Sequence, residues 1–391
     1  MKYDVIVIGA GAAGLMCAAT AGKRGRKVLL VDHANKPGKK ILMSGGGRCN
    51  FTNLDITPEN YLSQNPHFVK SALGRYTQWD FIALVSQYEI PWHDKGQGEL
   101  FCDNKASDIL EMLLAECAKA KVTLQTHCEI EAVEKISDHF QLLTACGDFT
   151  CDKLVVATGG LSIPTMGASG FGYQLAKQFK HTVLPTCASL VPFTLSGKTQ
   201  DRAAILSGIS VTATIENPRT GFTGELLFTH RGLSGPAVLQ LSNYWNLGEA
   251  ITINFLPNDT LRECIAEWKK TSGKQLIKNL LMQLLPKRFV NSWLPQALQN
   301  KTAADLNQKD TESLHNCFQQ WSVIPSGTEG YRTAEVTRGG INTDEVSSKT
   351  FESKNVQGLY FVGEVLDVTG WLGGYNFQWA WASGWCAGQV V

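Results

Sequence analysis

Residues Tyr3 to Ile8 form an almost unbroken run of β-branched and apolar side chains, the pattern of a strand buried on both faces of a parallel sheet. The run stops at Gly9-Ala-Gly11-Ala-Ala-Gly14, and an alanine-rich stretch to about Arg24 predicts a helix. Lys27 to Val31 (KVLLV) then predicts a second strand that closes at Asp32, 18 residues beyond Gly14. Further on, a helix is expected from about Ser107 to Lys121 and a strand over Val122 to Thr126. Short alternating runs at Ile130–Lys135, Phe140–Thr144 and Phe149–Cys151 read as a β-meander. Lys153-Leu-Val-Val-Ala-Thr-Gly-Gly160 reads as another buried strand ending in glycines. Gly358-Leu-Tyr-Phe-Val-Gly363-Glu364 repeats that design, and Gly373-Gly374 opens an aromatic-rich helix from about Tyr375.

The spacing at the N-terminus has a physical logic. Gly9 turns the chain, Gly11 lets the backbone approach a diphosphate, and Gly14 lets the helix sit tightly on the sheet, so that the anion rests on the helix N-terminus. Asp32 is placed to accept hydrogen bonds from both hydroxyls of an adenosine ribose and to repel a 2′-phosphate. Chain ends that both return to one dinucleotide fold, with the middle inserted, fit a flavoprotein better than a dehydrogenase. No second GxGxxG follows a strand, so no separate NAD(P) domain is read.

At 391 residues the chain is long enough for two or three domains. An apolar share of 43% and a charged share of 18% are those of a globular protein. The formal net charge of +1 gives no global reason to bind nucleic acid or an anionic membrane, so a polyanion must be held locally. The 11 cysteines show no CxxC pair and no metal-like spacing, which fits reduced thiols in the cytoplasm and no metal site. The apolar start superficially resembles a secretory signal, but Asp4 and the glycines spoil that reading. No later segment reaches the ~20 uncharged apolar residues of a membrane span.

Four long blocks carry a family resemblance: KPGKKILMSGGGRCNFTN at 36–53, ATGGLSIPTMGASGFGY at 157–173, LLFTHRGLSGPAVLQ at 226–240 and GLYFVGEVLDVTGWLGGYNFQWAWASG at 358–384. On these the chain resembles, nearly end to end, the BaiN-like (YhiN) FAD-dependent oxidoreductases. The resemblance implies an α/β fold: an FAD-binding Rossmann-like domain of the glutathione-reductase type, with an inserted small β-barrel-like domain and a helical insertion. The boundaries expected are 1–190 and 341–391 for the FAD domain, 191–256 and 322–340 for the β-barrel-like domain, and 257–321 for the helices. Apolar runs at Leu190–Phe193, Ile209–Ile215, Glu225–Phe228 and Ala250–Phe255 suit the β domain. Leu261–Lys270, Lys274–Leu285, Phe289–Leu298 and Thr311–Trp321, bounded by prolines, suit the helices.

The candidate FAD contacts are Gly9, Gly11, Ala12, Ala13, Gly14, Asp32, Lys40, Gly46, Gly47, Arg48, Thr158, Gly159, Gly363, Glu364, Gly373, Gly374 and Asn376. Three consecutive glycines in Ser44–Asn53 (SGGGRCNFTN) point to a ligand that comes very close to the backbone, here the ribityl and flavin end. Arg48 there either pairs a phosphate or braces the loop. Glu364 is placed to hold a ribityl hydroxyl, and the helix after Gly374 to direct its positive end at the reduced flavin.

The candidate catalytic residues are Cys49, His230 and Asp367. Cys49 is either an acid or a buried filler; Asp367 is either a proton relay or a hydrogen-bond partner of the approaching chain. His230 is either a donor or a structural loop residue. Arg231 and Arg332 are the better candidates for anchoring a phosphate or carboxylate.

The reaction expected is reduction of an electron-poor C=C bond, with NAD(P)H as electron donor. The family resemblance implies two such substrates, uridine in large-subunit (23S) ribosomal RNA and unsaturated oxo-steroids. Lys36, Lys39, Lys40 and Arg48, and Lys269, Lys270, Lys274, Lys278, Lys287 and Arg288, would supply local positive charge for RNA. The alternatives are a small-molecule ene-reductase or amine oxidase, and a non-enzymatic flavin redox sensor.

Overall fold

The computed structural model describes all residues, Met1–Val391, in two compact units, Met1–Ala188 with Glu335–Val391, and Ser189–Ala334.

In the first unit a parallel sheet runs Thr123–Gln125, Val28–Val31, Lys2–Ile8, Phe149–Val156, Leu359–Phe361. Lys2–Ile8 pairs along its whole length with Phe149–Val156, from Lys2↔Thr150 to Ile8↔Val156. The runs read separately at 149–151 and 153–160 are therefore one strand. Its other edge is divided: Phe149–Cys151 pairs antiparallel with the meander strand His139–Thr144, and Leu154–Val156 pairs parallel with Leu359–Phe361. That division brings residues near both chain ends into one sheet.

The helix Ala12–Lys23 packs against the sheet and against the C-terminal helix Tyr375–Gly388. Small residues make the helix crossing close. A Cβ at Gly384 would lie 2.4 Å from the Ala13 carbonyl oxygen, and one at Gly388 would lie 2.6 Å from Thr20 Cβ. The aromatic side chains of the C-terminal helix are packing elements. Trp381 stacks on Phe81 at 4.4 Å and donates from Nε1 to the Phe51 carbonyl at 2.8 Å, while Trp379 Nε1 donates to Gly363 O at 3.1 Å.

The sequence pattern did not reveal the small layer between the glycine loop and residue 102. It contains a three-stranded sheet of Asn50–Asn53, Glu99–Cys102 and Trp92–Asp94, and the helices Val69–Arg75 and Gln78–Gln87.

The second unit holds a seven-stranded antiparallel sheet in the order Trp321–Val323, Ile251–Asn254, Ser210–Glu216, Gly221–Phe228, Gly232–Ser234, Phe193–Thr194, Gly327–Thr328. The helices Leu261–Thr271, Ile277–Leu281, Lys287–Trp293 and Gln308–Phe318 share one apolar core with this sheet. Trp293 is at its centre, 5.7 Å from Phe228, 5.6 Å from Phe255 and 4.7 Å from Trp321, with the Arg202 guanidinium 3.6 Å over its ring. Two boundaries differ from the expectation: the first unit's N-terminal segment ends at Ala188 rather than 190, and its C-terminal segment begins at Glu335 rather than 341. Residues 335–340, assigned to the β domain, belong to the first unit, because Val336–Ile341 pairs with Val183–Ser189 there. No helix is long and apolar enough to cross a membrane.

Trp293→Ala should destabilise the protein by about 3–5 kcal/mol, as expected for emptying a fully buried aromatic site. The measurement is the urea midpoint followed by far-UV circular dichroism; an unchanged midpoint would refute this placement of the core.

Candidate functional site

The nucleotide end is built from missing side chains. Gly9 has φ +106°, and a Cβ there would come within 2.4 Å of Ala157 O, so the turn between strand and helix accepts only glycine. A Cβ on Gly14 would meet Gly9 O at 1.8 Å, which is the tight helix seating expected. Gly11 is different. It is the N-cap of Ala12–Lys23, has no side chain to cap the helix, and faces open space. An uncapped helix N-terminus beside an open backbone face is an anion cradle.

Asp32 is fixed beside it: Oδ2 accepts from Ala10 N–H at 2.7 Å and Oδ1 from Ala34 N–H at 2.8 Å. Both oxygens keep acceptor capacity for ribose hydroxyls. At the next strand end Thr158 Oγ1 is buried without a hydrogen-bond partner. Open face, uncapped helix, fixed acid and orphan hydroxyl together fit a dinucleotide cofactor.

In the glycine loop, Gly45, Gly46 and Gly47 have φ of +57°, +65° and +88°. Gly45 is packed on Phe101, whereas a Cβ on Gly46 or Gly47 would meet nothing, so these two backbones stand open to a ligand. Arg48 is exposed, and its backbone braces the loop, its carbonyl accepting from Cys102 N–H at 3.0 Å. Cys49 is corrected to a filler. It is 0% exposed, strained at φ +51°, and burial pushes its thiol up to about 12. A sulfur enclosed on all sides by protein has no surface from which to protonate a substrate.

Glu364 and Lys40 lie in a knot that ties four segments. Lys40 Nζ donates to Glu364 Oε2 and to Ser162 Oγ, both at 2.8 Å. Glu364 Oε1 accepts from Thr337 N–H at 3.0 Å and Ser162 Oγ at 3.2 Å. Gly159 adjoins this carboxylate: a Cβ there would lie 3.6 Å from Oε2.

Two candidate contacts need correcting. Gly363 packs against Ala13, where a Cβ would lie 2.8 Å from Ala13 Cβ, and its N–H is donated to Ser383 Oγ at 3.0 Å; it is a packing glycine. The Asn376 amide is spent on the loop before it: Oδ1 accepts from Gly370 N–H at 2.8 Å and Nδ2 donates to the carbonyls of Gly370 and Trp371 at 3.0 and 3.1 Å. Asn376 thus shapes the turn through Gly373 (φ +110°) and Gly374 (φ +92°) that starts the C-terminal helix.

Beside this knot is a cavity of about 380 Å³ lined by Leu62, Ser63, Gln64, Leu184, Pro185, Arg338, Gly339 and Asp367. Asp367 is 5% exposed; Oδ2 accepts from Gln64 N–H at 2.8 Å. Burial raises its carboxyl above the ordinary value, against the opposing pull of Gln64 N–H, Ser63 Oγ and the Arg338 charge. Arg338 Nε is directed at Cys187 Sγ at 3.2 Å. Arg338, Ser63 and Gln64 were not found from the sequence. The available signal was a cation immediately before the Gly339-Gly340 pair, whereas Arg332, preferred from the sequence, is exposed and does not line the cavity.

In the second unit, His230 and Arg231 sit exposed in the turn between Gly221–Phe228 and Gly232–Ser234, with Arg231 Nε 4.0 Å from Glu329. His230 is not among the residues lining the Asp367 cavity. Lys270, Lys274 and Lys287 are exposed, while Lys269 and Arg288 donate to the carbonyls of Leu306 and Ile205.

A glycine-built nucleotide cradle at one end of a parallel sheet, completed by segments near both chain ends, defines an FAD-dependent oxidoreductase. Residues 3–390 match the family described as HI0933-like protein Rossmann domain, and the chain belongs to that family. It is 54% identical to the ribosomal RNA dihydrouridine synthase of Escherichia coli strain K12, over 99% of this chain and 98% of that protein. It is 30% identical to the 3-dehydro-bile acid delta(4,6)-reductase of Clostridium scindens, over 98% of each. Among solved structures it shares its fold with a 3-ketosteroid-delta4-(5alpha)-dehydrogenase from Rhodococcus jostii RHA1. There the TM-score is 0.51 at 12% identity, covering 99% of this chain and 97% of that one.

Gly11→Val should fold normally, because its Cβ meets nothing, yet lose its flavin. The absorbance ratio at 450 and 280 nm of the purified variant, read beside its circular dichroism, checks this; a stoichiometrically yellow variant would refute it. Cys49→Ala should keep both flavin content and turnover, and a turnover loss with flavin retained would restore the thiol as an acid.

Proposed function

We propose that this protein reduces a carbonyl-conjugated C=C bond, that its substrate is uridine in 23S ribosomal RNA, and that the product is dihydrouridine. The observation that carries the reading is the 54% identity, across essentially the whole chain, to a ribosomal RNA dihydrouridine synthase. FAD, when bound, supplies the hydride, drawn in turn from NAD(P)H.

The chain's own residues supply position and charge. The N-terminus of Ala12–Lys23 holds the diphosphate, and Asp32 holds the adenosine ribose. The open backbones of Gly46 and Gly47 receive the ribityl and flavin end. The positive, uncapped end of Tyr375–Gly388 would favour negative charge on a flavin bound beside it. The Lys40–Glu364–Ser162–Thr337 knot keeps these segments in register.

For the substrate, a base in folded RNA must be turned out of its stack to reach a pocket. With a net charge of +1, phosphates must be gripped by local lysines such as Lys270, Lys274 and Lys287 rather than by an overall field. The work would take place in the cytoplasm, where ribosomal RNA is made. A second reading, reduction of a small cyclic enone, is supported by the 30% identity to a bile acid reductase. A uracil C5=C6 bond and a steroid enone are both polarised by a conjugated carbonyl.

The test is to map dihydrouridine in 23S ribosomal RNA from a strain lacking the protein and to treat that RNA with purified protein and NADPH. A missing modification restored in vitro is expected. An unchanged modification map would contradict the RNA reading.

A further inference from the structure

Beyond the cofactor cradle, the chain carries a second, open pocket with its own lining. We propose that the cavity lined by Leu62, Ser63, Gln64, Leu184, Pro185, Arg338 and Asp367 receives the ring to be reduced, with Arg338 holding its carbonyl oxygen and Asp367 giving the proton to the carbon beside that carbonyl. The assignment rests on the C=C reductase reading.

Several independent observations converge on it. The volume, about 380 Å³, lies in the range of small-molecule sites. Its walls divide chemically: Leu62, Leu184 and Pro185 offer apolar faces for a flat ring, and Arg338, Asp367, Ser63 and Gln64 form a polar edge. Asp367 is held rigidly. Its N–H donates to Ile341 O at 2.9 Å, and its Oδ2 accepts from Gln64 N–H at 2.8 Å and lies 3.5 Å from Ser63 Oγ. Its other oxygen, Oδ1, has no hydrogen bond within the chain and is left for a ligand.

Chain connectivity places the cavity beside the cofactor segments. Arg338 follows Thr337, whose N–H binds Glu364, and Asp367 precedes Thr369–Gly370, which pairs with Tyr61–Leu62 and leads into the Gly373-Gly374 turn. The backbone is packed too tightly for the wall to drift: a Cβ on Gly339 would meet Pro185 O at 2.2 Å, and one on Gly340 would meet Val365 O at 2.7 Å.

The chemistry balances. The hydride's electron pair makes the C–H bond at the β carbon. The π pair moves to the α carbon, with the developing charge shared onto the carbonyl oxygen at Arg338, and closes on the Asp367 proton. The ring gains two electrons and two hydrogens, a hydride that bound FAD would supply and a proton from Asp367, which is reprotonated by water entering the cavity. Facing Asp367 are the charged Arg338, which also meets Cys187, and the polar Ser63 and Gln64. Desolvation outweighs the Arg338 charge, so the carboxyl retains its proton above the usual carboxylate range.

The test uses the FAD-loaded full chain and Asp367→Asn, which preserves an acceptor for Gln64. Flavin loading and flavin reduction by NADPH should be unchanged. Anaerobic reoxidation by 23S ribosomal RNA lacking the modification should slow about 100-fold or more, the usual range for a positioned acid. The wild-type rate should fall as pH rises through the carboxyl's titration, and the variant should be flat. Arg338→Gln should raise KM at least about tenfold, as for loss of a charged hydrogen bond.

A readout without turnover accompanies these: an infrared band of a protonated carboxylic acid, titrating above the ordinary aspartate range in wild type and missing from Asp367→Asn. Equal reoxidation rates in the two proteins, or no such band, would overturn the proposal while leaving the reductase reading intact. If a cyclic enone, but not the RNA, reoxidises the wild type, the RNA reading fails and the same pair of proteins is compared on the enone. Acceptance of neither overturns both.

Discussion

The structure depends on a backbone contact that any side chain would prevent. The first helix is pressed so closely onto the turn beneath it that a Cβ at Gly14 would overlap the Gly9 carbonyl, and Gly9 itself is wedged against Ala157. On its other side the same helix is pressed onto the last helix through Gly384 and Gly388. These contacts fix the N-terminus of Ala12–Lys23 relative to both ends of the chain. Since the helix dipole acts only within about a turn of its end, a displacement of one side-chain width would forfeit the charge that the cradle offers to a diphosphate. The glycines are conditions of assembly at Gly9 and Gly14 and conditions of binding at Gly11, a distinction visible only from what surrounds each one.

The second constraint is electrostatic. Lys40 and Glu364 are 324 residues apart in sequence and 2.8 Å apart in space, and both also engage Ser162. A partly buried ion pair contributes little net stability, because desolvation offsets most of the attraction. Its value here is specificity: the carboxylate also accepts from Thr337 N–H, so the strand carrying Arg338 is held in register with the segment carrying Asp367. The cofactor cradle and the Asp367 cavity thus share a frame tied by the Lys40–Glu364–Ser162–Thr337 hydrogen bonds.

The βαβ unit was legible in the sequence because three signals agreed there: a two-faced apolar strand, glycines at fixed spacing and an acid at the next strand end. The return of the chain at 358–364 was legible for the same reason. The layer at 50–102 was not, since strands of three or four residues carry too little periodicity to register. Chemistry followed the same division. Asp32 and Gly11 could be assigned from position alone, but Cys49 and Asn376 could not. Whether a thiol is enclosed or an amide is already satisfied depends on residues distant in sequence. Arg338 was overlooked in favour of Arg332 because only the tertiary fold decides which arginine of that stretch faces inward.

The enzyme's identity as a flavoprotein rests on two distant parts of the chain closing on one cofactor. Hydrogen–deuterium exchange of the apoprotein with and without added FAD tests this most directly. Protection at 9–14, at 44–50 and at 363–376 together, saturating at one FAD per chain, is the result predicted. Protection confined to 9–14, or none at all, would contradict the account.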